Sequence, residues 1–210
     1  MSDFDRAALE RFVTTFADRL HDRRDELTQL DSAVGDADHG INMDRGFTAV
    51  RAKLGDLGDA DLGTLAKAVG MTLISTVGGA SGPLYGTFFL RLATSLGERA
   101  TVTTAELGDA LRAALDGVQQ RGKAEPDDKT MVDELLPAVD AYDAAAGGGI
   151  GPALAAAAEA AAAGRNRITP LVARKGRASY LGERAMGHPD PGATSTTILF
   201  ESLRDAVATG

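Results

Sequence analysis

Residues 9–40 read LERFVTTFADRLHDRRDELTQLDSAVGDADHG. Leu9, Phe12, Val13, Phe16 and Leu20 recur at helical spacing, which predicts one amphipathic helix over about 5–28. That helix empties into a glycine-punctuated loop in which Asp31, Asp36 and Asp38 fall within one short run. Carboxylates brought together repel one another and raise each other's pKa unless a cation sits between them. The loop is therefore a candidate magnesium cradle, because hard divalent ions take oxygen ligands and magnesium is held by a few carboxylates plus substrate phosphates. A nucleotide is the natural co-ligand. The plainer alternative is an Asx turn followed by a helix N-cap, since a helical pattern resumes at about Ile41. An EF-hand calcium loop is excluded: counting from Asp36, the fifth position is Gly40 and the twelfth is Phe47, where a bidentate Glu is required. His39 stands either as a ligand or as a phosphate contact, and one histidine beside aspartates does not decide which.

Working outward, a second helix is expected over 41–54, with Met43, Phe47, Val50 and Leu54 on one side. A third covers 61–76 through Leu62, Leu65, Val69 and Leu73 and stops before Gly78-Gly79. The next is expected to start at Pro83, whose missing N–H suits a first helical turn. Thr103-Thr104-Ala105-Glu106 is a capping-box pattern opening a helix to about Gln120. Further helices are expected at 129–146, 152–163, 166–174 and 193–208. Period-two strands are nearly absent. The fold class is all-α, and short connections favour antiparallel neighbours. No internal repeat and no long linker divides the chain, so residues 1–210 are expected to form one domain.

At 210 residues with 44% apolar side chains, the chain can bury a substantial core. A formal net charge of −8 argues against a nucleic-acid groove or an anionic membrane as the main partner. Small phosphorylated ligands remain open, because glycine loops and metal ions bind them locally. With no cysteine there is no disulfide, thiolate nucleophile or thiolate zinc site. Met1-Ser2-Asp3-Phe4-Asp5 lacks the basic and apolar regions of a signal peptide, and no apolar run approaches membrane-spanning length. A cytoplasmic setting is the simplest expectation. The alanine-rich stretch 153–163 reads as a tightly packed helix.

Three more loops could carry chemistry. Gly78-Gly79-Ala80-Ser81-Gly82-Pro83 places small residues before a helix, where free N–H groups and the positive dipole end make an anion site. Ser81 would add a hydroxyl donor. The Walker A lysine and spacing are missing, and the same glycines serve equally well for close helix packing. The run from Arg121 to Met131 is polar and turn-rich. It is either a solvated loop or, beside a nucleotide, a place where Gly122 admits close approach and Met131 packs on a purine. The longest irregular stretch runs from Lys175 to Gly192, and loops of that length are often lids or binding segments. Arg177 there either clamps a phosphate with its planar fork or makes a surface ion pair. Asp190 and Gly192, just before the last helix, make a turn or contact a ligand.

Taken together, Asp31 with Gly35-Asp36-Ala37-Asp38-His39-Gly40-Ile41-Asn42-Met43, then Val77 to Leu84, Arg121 to Met131 and Lys175 to Arg184, resemble the nucleotide-binding L subunit of dihydroxyacetone kinases. The ordered set spans nearly the whole chain. The resemblance implies an antiparallel eight-helix barrel with nucleotide at one end. It implies that Asp31, Asp36 and Asp38 hold two magnesium ions on the nucleotide phosphates. It also implies that His39, Gly40, Ile41, Asn42, Ala80, Ser81, Gly122, Met131, Arg177, Asp190, Pro191 and Gly192 contact ADP or ATP, with no catalytic residue assigned beyond support from the aspartates and Arg177. The implied reaction is phosphoryl transfer to dihydroxyacetone, which in this family sits on a separate K subunit. The phosphotransferase-system version, in which a phosphohistidine M subunit recharges bound ADP, is favoured over an ATP-exchanging version. A homodimer is expected. A non-catalytic nucleotide-binding regulatory module and a metal-dependent phosphohydrolase are the competing readings. The second is weakened because only the aspartates and His39 could serve as a general base.

Overall fold

A computed structural model describes residues 4–208. Residues 1–3, part of the stretch read above for a signal peptide, and residues 209–210 lie outside it. In chain order the elements are β1 (Phe4–Asp5), α1 (Arg6–Asp22), α2 (Arg24–Val34), α3 (His39–Leu54), α4 (Leu62–Thr76), α5 (Ser81–Leu96), β2 (Thr101–Val102), α6 (Thr104–Gly122), α7 (Val132–Ala145), α8 (Ile150–Ile168) and α9 (Pro191–Ala208). Short 3₁₀ turns occupy Ala146–Gly148 and Arg177–Ala185. Local chemistry sets several of the starts. The Asp5 carboxylate accepts the Ala8 N–H at 2.7 Å, and Asp61 accepts that of Thr64 at 2.7 Å. Thr103 and Glu106 form the capping box read from sequence.

Eight of the helices close a ring in which each packs on the next: α1 on α3, then α4, α5, α6, α7, α8 and α9, with α9 returning to α1. This is the antiparallel eight-helix barrel that was expected. Its interior is filled by aromatic side chains, including Phe12, Phe16, Phe47, Tyr85, Phe88 and Phe89, with Phe16 edge-on to Phe47 at a centroid distance of 4.7 Å. The alanine-rich helix buries Ala153, Leu154, Ala157, Ala158 and Ala161, and small side chains let α8 lie close to α7 and α9. The only strand pairing among the described residues is antiparallel, Phe4 with Val102 and Asp5 with Thr101, at the end where α1 and α6 begin.

Three boundaries differ from expectation. The predicted helix over 5–28 is two helices, broken at Arg23. No apolar side chain is buried between Leu20 and Leu27, so nothing pins the charged run His21 to Glu26 to the core and the axis turns there. The second piece, α2, lies outside the ring against α3 and α9. It runs on to Val34, which puts Asp31 in a helical turn and not in the loop. A separate helix over 166–174 does not form; α8 continues to Ile168 and turns after it. The stretch 175–192 carries the 3₁₀ segment, kinked at Gly182.

Candidate functional site

Alternation of direction around the ring brings the N-termini of α3, α5, α7 and α9 to the same end of the barrel. Their first residues, His39, Ser81, Val132 and Pro191, all line one cleft of about 370 Å³. Helix N-termini present unpaired N–H groups and the positive end of the dipole, so four of them opening on one cavity favour an anionic occupant.

The aspartates form one wall. Oxygen atoms of Asp31, Asp36 and Asp38 lie within 4.8 Å of one another. Asp31 is buried, and its Oδ2 accepts the N–H groups of Asp38 at 2.8 Å and His39 at 3.1 Å, which folds the loop back over the end of α2. Residue 35 has to be glycine here, because a Cβ would fall on the Asp31 carboxylate. Ala37 takes a left-handed conformation, φ 61°. Among the described residues, the cation bonded to the cluster is Arg177, whose Nη2 lies 2.9 Å from Asp36 Oδ2. Three oxygen donors, one amide-braced and two more accessible, suit a hard divalent ion that keeps open positions for other ligands.

Behind the wall, His39 is buried between two hydroxyls: Ser81 Oγ lies 3.0 Å from Nδ1 and Ser195 Oγ 2.9 Å from Nε2. Burial pulls its pKa down to about 4 against the opposing charge of Asp31, so the ring is neutral. Ser195 in turn meets the Tyr85 hydroxyl at 2.7 Å. With both nitrogens occupied, His39 is in no position to serve as a metal ligand.

The opposite wall is the loop after α6. Lys123, Asp127 and Lys129 all have positive φ, an unusual run for residues other than glycine. Asp133 organises the turn by accepting the N–H groups of Asp127 at 2.6 Å and Thr130 at 3.0 Å. The Lys129 ammonium is buried and donates to the carbonyls of Thr169, Leu171 and Ala185, tying this loop to the 3₁₀ segment that carries Arg177. Two carboxyls nearby are held above their usual range. Asp190 is pushed up to about 6 by burial, opposed by the bond it accepts from Ala193. Glu134 is pushed well up by burial and by the charges of Asp190 and Asp133, and neither of its oxygens has a hydrogen-bond partner.

Of the residues singled out in the sequence, Asp31, Asp36, Asp38, His39, Ala80, Ser81, Gly122, Met131, Arg177, Asp190, Pro191 and Gly192 line the cleft. Gly40, Ile41 and Asn42 do not. Gly40 is pressed against the α2 backbone at Arg24 and Thr28, Ile41 faces outward beside Thr28 and Asp44, and the Asn42 side chain bonds Arg45 at 2.6 Å. Tyr85, Lys129 and Ser195 were missed. The run Thr194-Ser195-Thr196-Thr197 was the available signal, since four hydroxyls in one helical turn seldom serve packing alone.

A closed helical barrel with an acidic, glycine-walled cleft at the N-termini of four helices defines a class of small helical domains built to hold a polyanion through metal. The chain belongs to the DAK2 domain family, whose model matches residues 33–205. It is 46% identical, over 94% of its own length and 95% of the relative's, to the ADP-binding subunit DhaL of the PEP-dependent dihydroxyacetone kinase of Escherichia coli K12. It also resembles the crystal structure of the dihydroxyacetone kinase of C. freundii: TM-score 0.73 for the native form, with 29% identity over 95% of this chain and 34% of that one. For the form in complex with AMP-PNP and Mg²⁺ the TM-score is 0.69, with 29% identity over 92% and 33%. The chain thus spans about a third of that kinase and nearly all of the E. coli subunit. No described helix is long and apolar enough to cross a membrane.

Proposed function

We propose that this chain is the nucleotide-binding subunit of a phosphotransferase-system-dependent dihydroxyacetone kinase. In this reading a phosphoryl group passes from a phosphohistidine M subunit, through magnesium-bound ADP in the cleft, to dihydroxyacetone carried by a K subunit. The observation that carries it is the convergence of three carboxylates within 4.8 Å at a cleft fed by four helix N-termini. The match over 95% of the ADP-binding subunit of a PEP-dependent dihydroxyacetone kinase supports this organisation over that of the C. freundii kinase, of which the chain covers only 34%.

Asp31, Asp36 and Asp38 would hold the magnesium, which when bound neutralises charge on the phosphoryl oxygens. The N–H groups that open α5 and α9 would orient the phosphates. Met131 and Gly122 would line the base side. Arg177 would leave Asp36 and turn its fork toward the transferred group. The Lys129 tether would hold the 3₁₀ segment close enough to exclude water. An acceptor must then be brought to the cleft mouth from outside. The large exposed apolar side chains of the described residues gather at that end: Ile41 opening α3, Met71 and Ile74 toward the end of α4, and Val172, Tyr180 and Met186 around the 3₁₀ segment. Exposed apolar groups on the elements that reach the cleft end would give the K and M subunits a surface to dock on in turn. A homodimer belongs to the same reading and is checked by sedimentation.

The test is native mass spectrometry of undialysed protein, followed by reconstitution. Retained ADP, one transfer to K-bound dihydroxyacetone per bound nucleotide, and resumed turnover on adding phosphorylated M subunit are expected. Turnover sustained by free ATP with K alone would replace the relay with nucleotide exchange, and tight nucleotide binding with no transfer would leave a regulatory module.

A further inference from the structure

One ammonium group closes the neck of the loop that carries Arg177. The buried Lys129 Nζ lies 2.8 Å from the Thr169 carbonyl, 3.0 Å from that of Leu171 and 2.7 Å from that of Ala185. The first two carbonyls lead into the loop and the third leads out of it, so a side chain from a distant turn pinches both sides of the neck. Thr169 caps the C-terminal end of α8, where the helix dipole favours a cation. The Gly187 N–H adds a bond to the Thr169 carbonyl at 2.9 Å, and the Arg174 N–H bonds the Asp128 carbonyl at 3.0 Å. Beyond the neck the loop is weakly held. Ala173, Ala178 and Ala185 pack with Val34 in a cluster separate from the main core, with Leu181 partly buried against them, and alanines remove little apolar area from water. The Arg177 side chain is exposed, so its pairing with Asp36 adds little. Lys129 also lines the cleft, where a lysine suggests a phosphate ligand. An ammonium has three protons, and here all three are taken by carbonyls.

We propose that Lys129 is a positioning residue that sets how long nucleotide stays in the cleft: it donates to no ligand atom, holds the Arg177 loop shut and so slows the release of ADP. The inference rests on the nucleotide reading above, and adds to it the group that makes ADP a retained cofactor and not an exchanging substrate. Hydrogen bonds from a charged donor are stronger than neutral ones, so three of them from one ammonium outweigh the loop's alanine packing. They also offset the local cost of the left-handed backbone at Lys129, φ 63°. Lys129 stands two residues before Met131, which lines the same cleft. One side chain therefore joins the wall that would meet the base to the loop that brings the guanidinium to the phosphates.

Stopped-flow binding of ADP with Mg²⁺ separates the two rates. Lys129→Met keeps the length of the side chain and removes the ammonium. It should speed ADP release by about tenfold or more while changing association by less than about twofold. Slower association with unchanged release would mean that the side chain only shapes the cleft, and the proposal would be wrong. Arg177→Ala should speed release in the unmodified protein, but by less than about twofold in the Lys129→Met background, where the loop is already loose. Additive effects would show that Lys129 does not act through this loop. Because the chain has no cysteine, Lys129→Cys offers a single thiol for chemical rescue. Alkylation with bromoethylamine rebuilds the ammonium and should restore slow release, whereas bromopropane, of equal length and no charge, should not. Rescue by both reagents would assign the effect to packing and overturn the proposal. Hydrogen exchange of the ligand-free, unmodified protein gives a reading that needs no variant. Amides of residues 175–187 should be protected, and exchange there at free-chain rates would mean that the neck is not held. If the protein binds no ADP, the nucleotide reading fails, while exchange still decides whether Lys129 holds the loop.

Discussion

Single residues at the cleft do opposing work, and their substitution should separate the roles. Asp36 is the most exposed member of the carboxylate cluster and the partner of Arg177. Asp36→Asn should abolish magnesium-dependent ADP binding in calorimetry while leaving the far-ultraviolet circular dichroism unchanged. Undiminished affinity would move the metal elsewhere. Arg177→Ala should have a split effect: ADP retention weakens, yet affinity for Mg²⁺ alone rises a few-fold, because the guanidinium no longer competes for Asp36. Equal affinity for the bare ion would mean that the pair is a surface contact without consequence, as exposed ion pairs often are. Glu134 and Asp190 give a pH signature. Their folded pKa values lie above the ordinary carboxylate range because both groups are buried, so the native protein keeps protons that the unfolded chain has released. Stability is therefore greatest below about pH 4 as far as these two groups are concerned. It falls as pH rises, through about 6 for Asp190 and over a wider range for Glu134. Glu134→Gln should raise the melting temperature at pH 8 and flatten its pH dependence; an unchanged profile would mean that Glu134 ionises normally. The aspartates, Arg177 and the turn at 190–192 were legible in the sequence as residue types in loops. The network of Ser81, His39, Ser195 and Tyr85 was not, because its bonded pairs are 42 to 156 residues apart and meet only when the ring closes.

At the level of elements, apolar periodicity located most of the helices, since each presents one buried stripe to a common core. The failure at Arg23 has a physical cause. Leu27, Asp31 and Val34 continue the spacing set by Leu9 to Leu20 closely enough that the pattern runs unbroken, while no glycine or proline marks the bend. Periodicity reports which face is buried, and it is silent on a change of axis between two helices buried on compatible faces. The failure at 166–174 is of the other kind: Ile168 is the last apolar anchor of α8, and the residues after it are shaped by the Lys129 tether from a distant loop. Caps were the most readable local feature. Thr103→Ala removes the capping box of α6 and should cost about 1 kcal/mol, lowering the melting temperature by a few degrees. It should leave ADP retention unchanged, because the cap lies at the end of the barrel away from the cleft. A change in retention would mean that α6 transmits displacement along its axis.

For the whole molecule, the ring order follows from chain order, so an all-α sequence with short connections already implied most of the topology. Helix periodicity and short connections did not by themselves imply closure, which was expected only from the family resemblance and which rests on α9 packing against α1. Closure also fixes where the two ends of the described segment, Phe4 and Ala208, lie. The Arg11 guanidinium donates to the Ala206 carbonyl at 2.9 Å, so the first turns of α1 and the last turns of α9 sit side by side, with all of α9 between Ala208 and the cleft. At 1.5 Å per residue those 18 residues are about 27 Å of rigid rod. A tether at Phe4 or Ala208, whether to a chip surface, a fluorophore or a second polypeptide, therefore stands the barrel upright with its mouth facing away from the attachment. Immobilised protein should accept partner subunits as readily as protein free in solution. A fused partner would need a linker long enough to run the length of the barrel before it could reach the mouth.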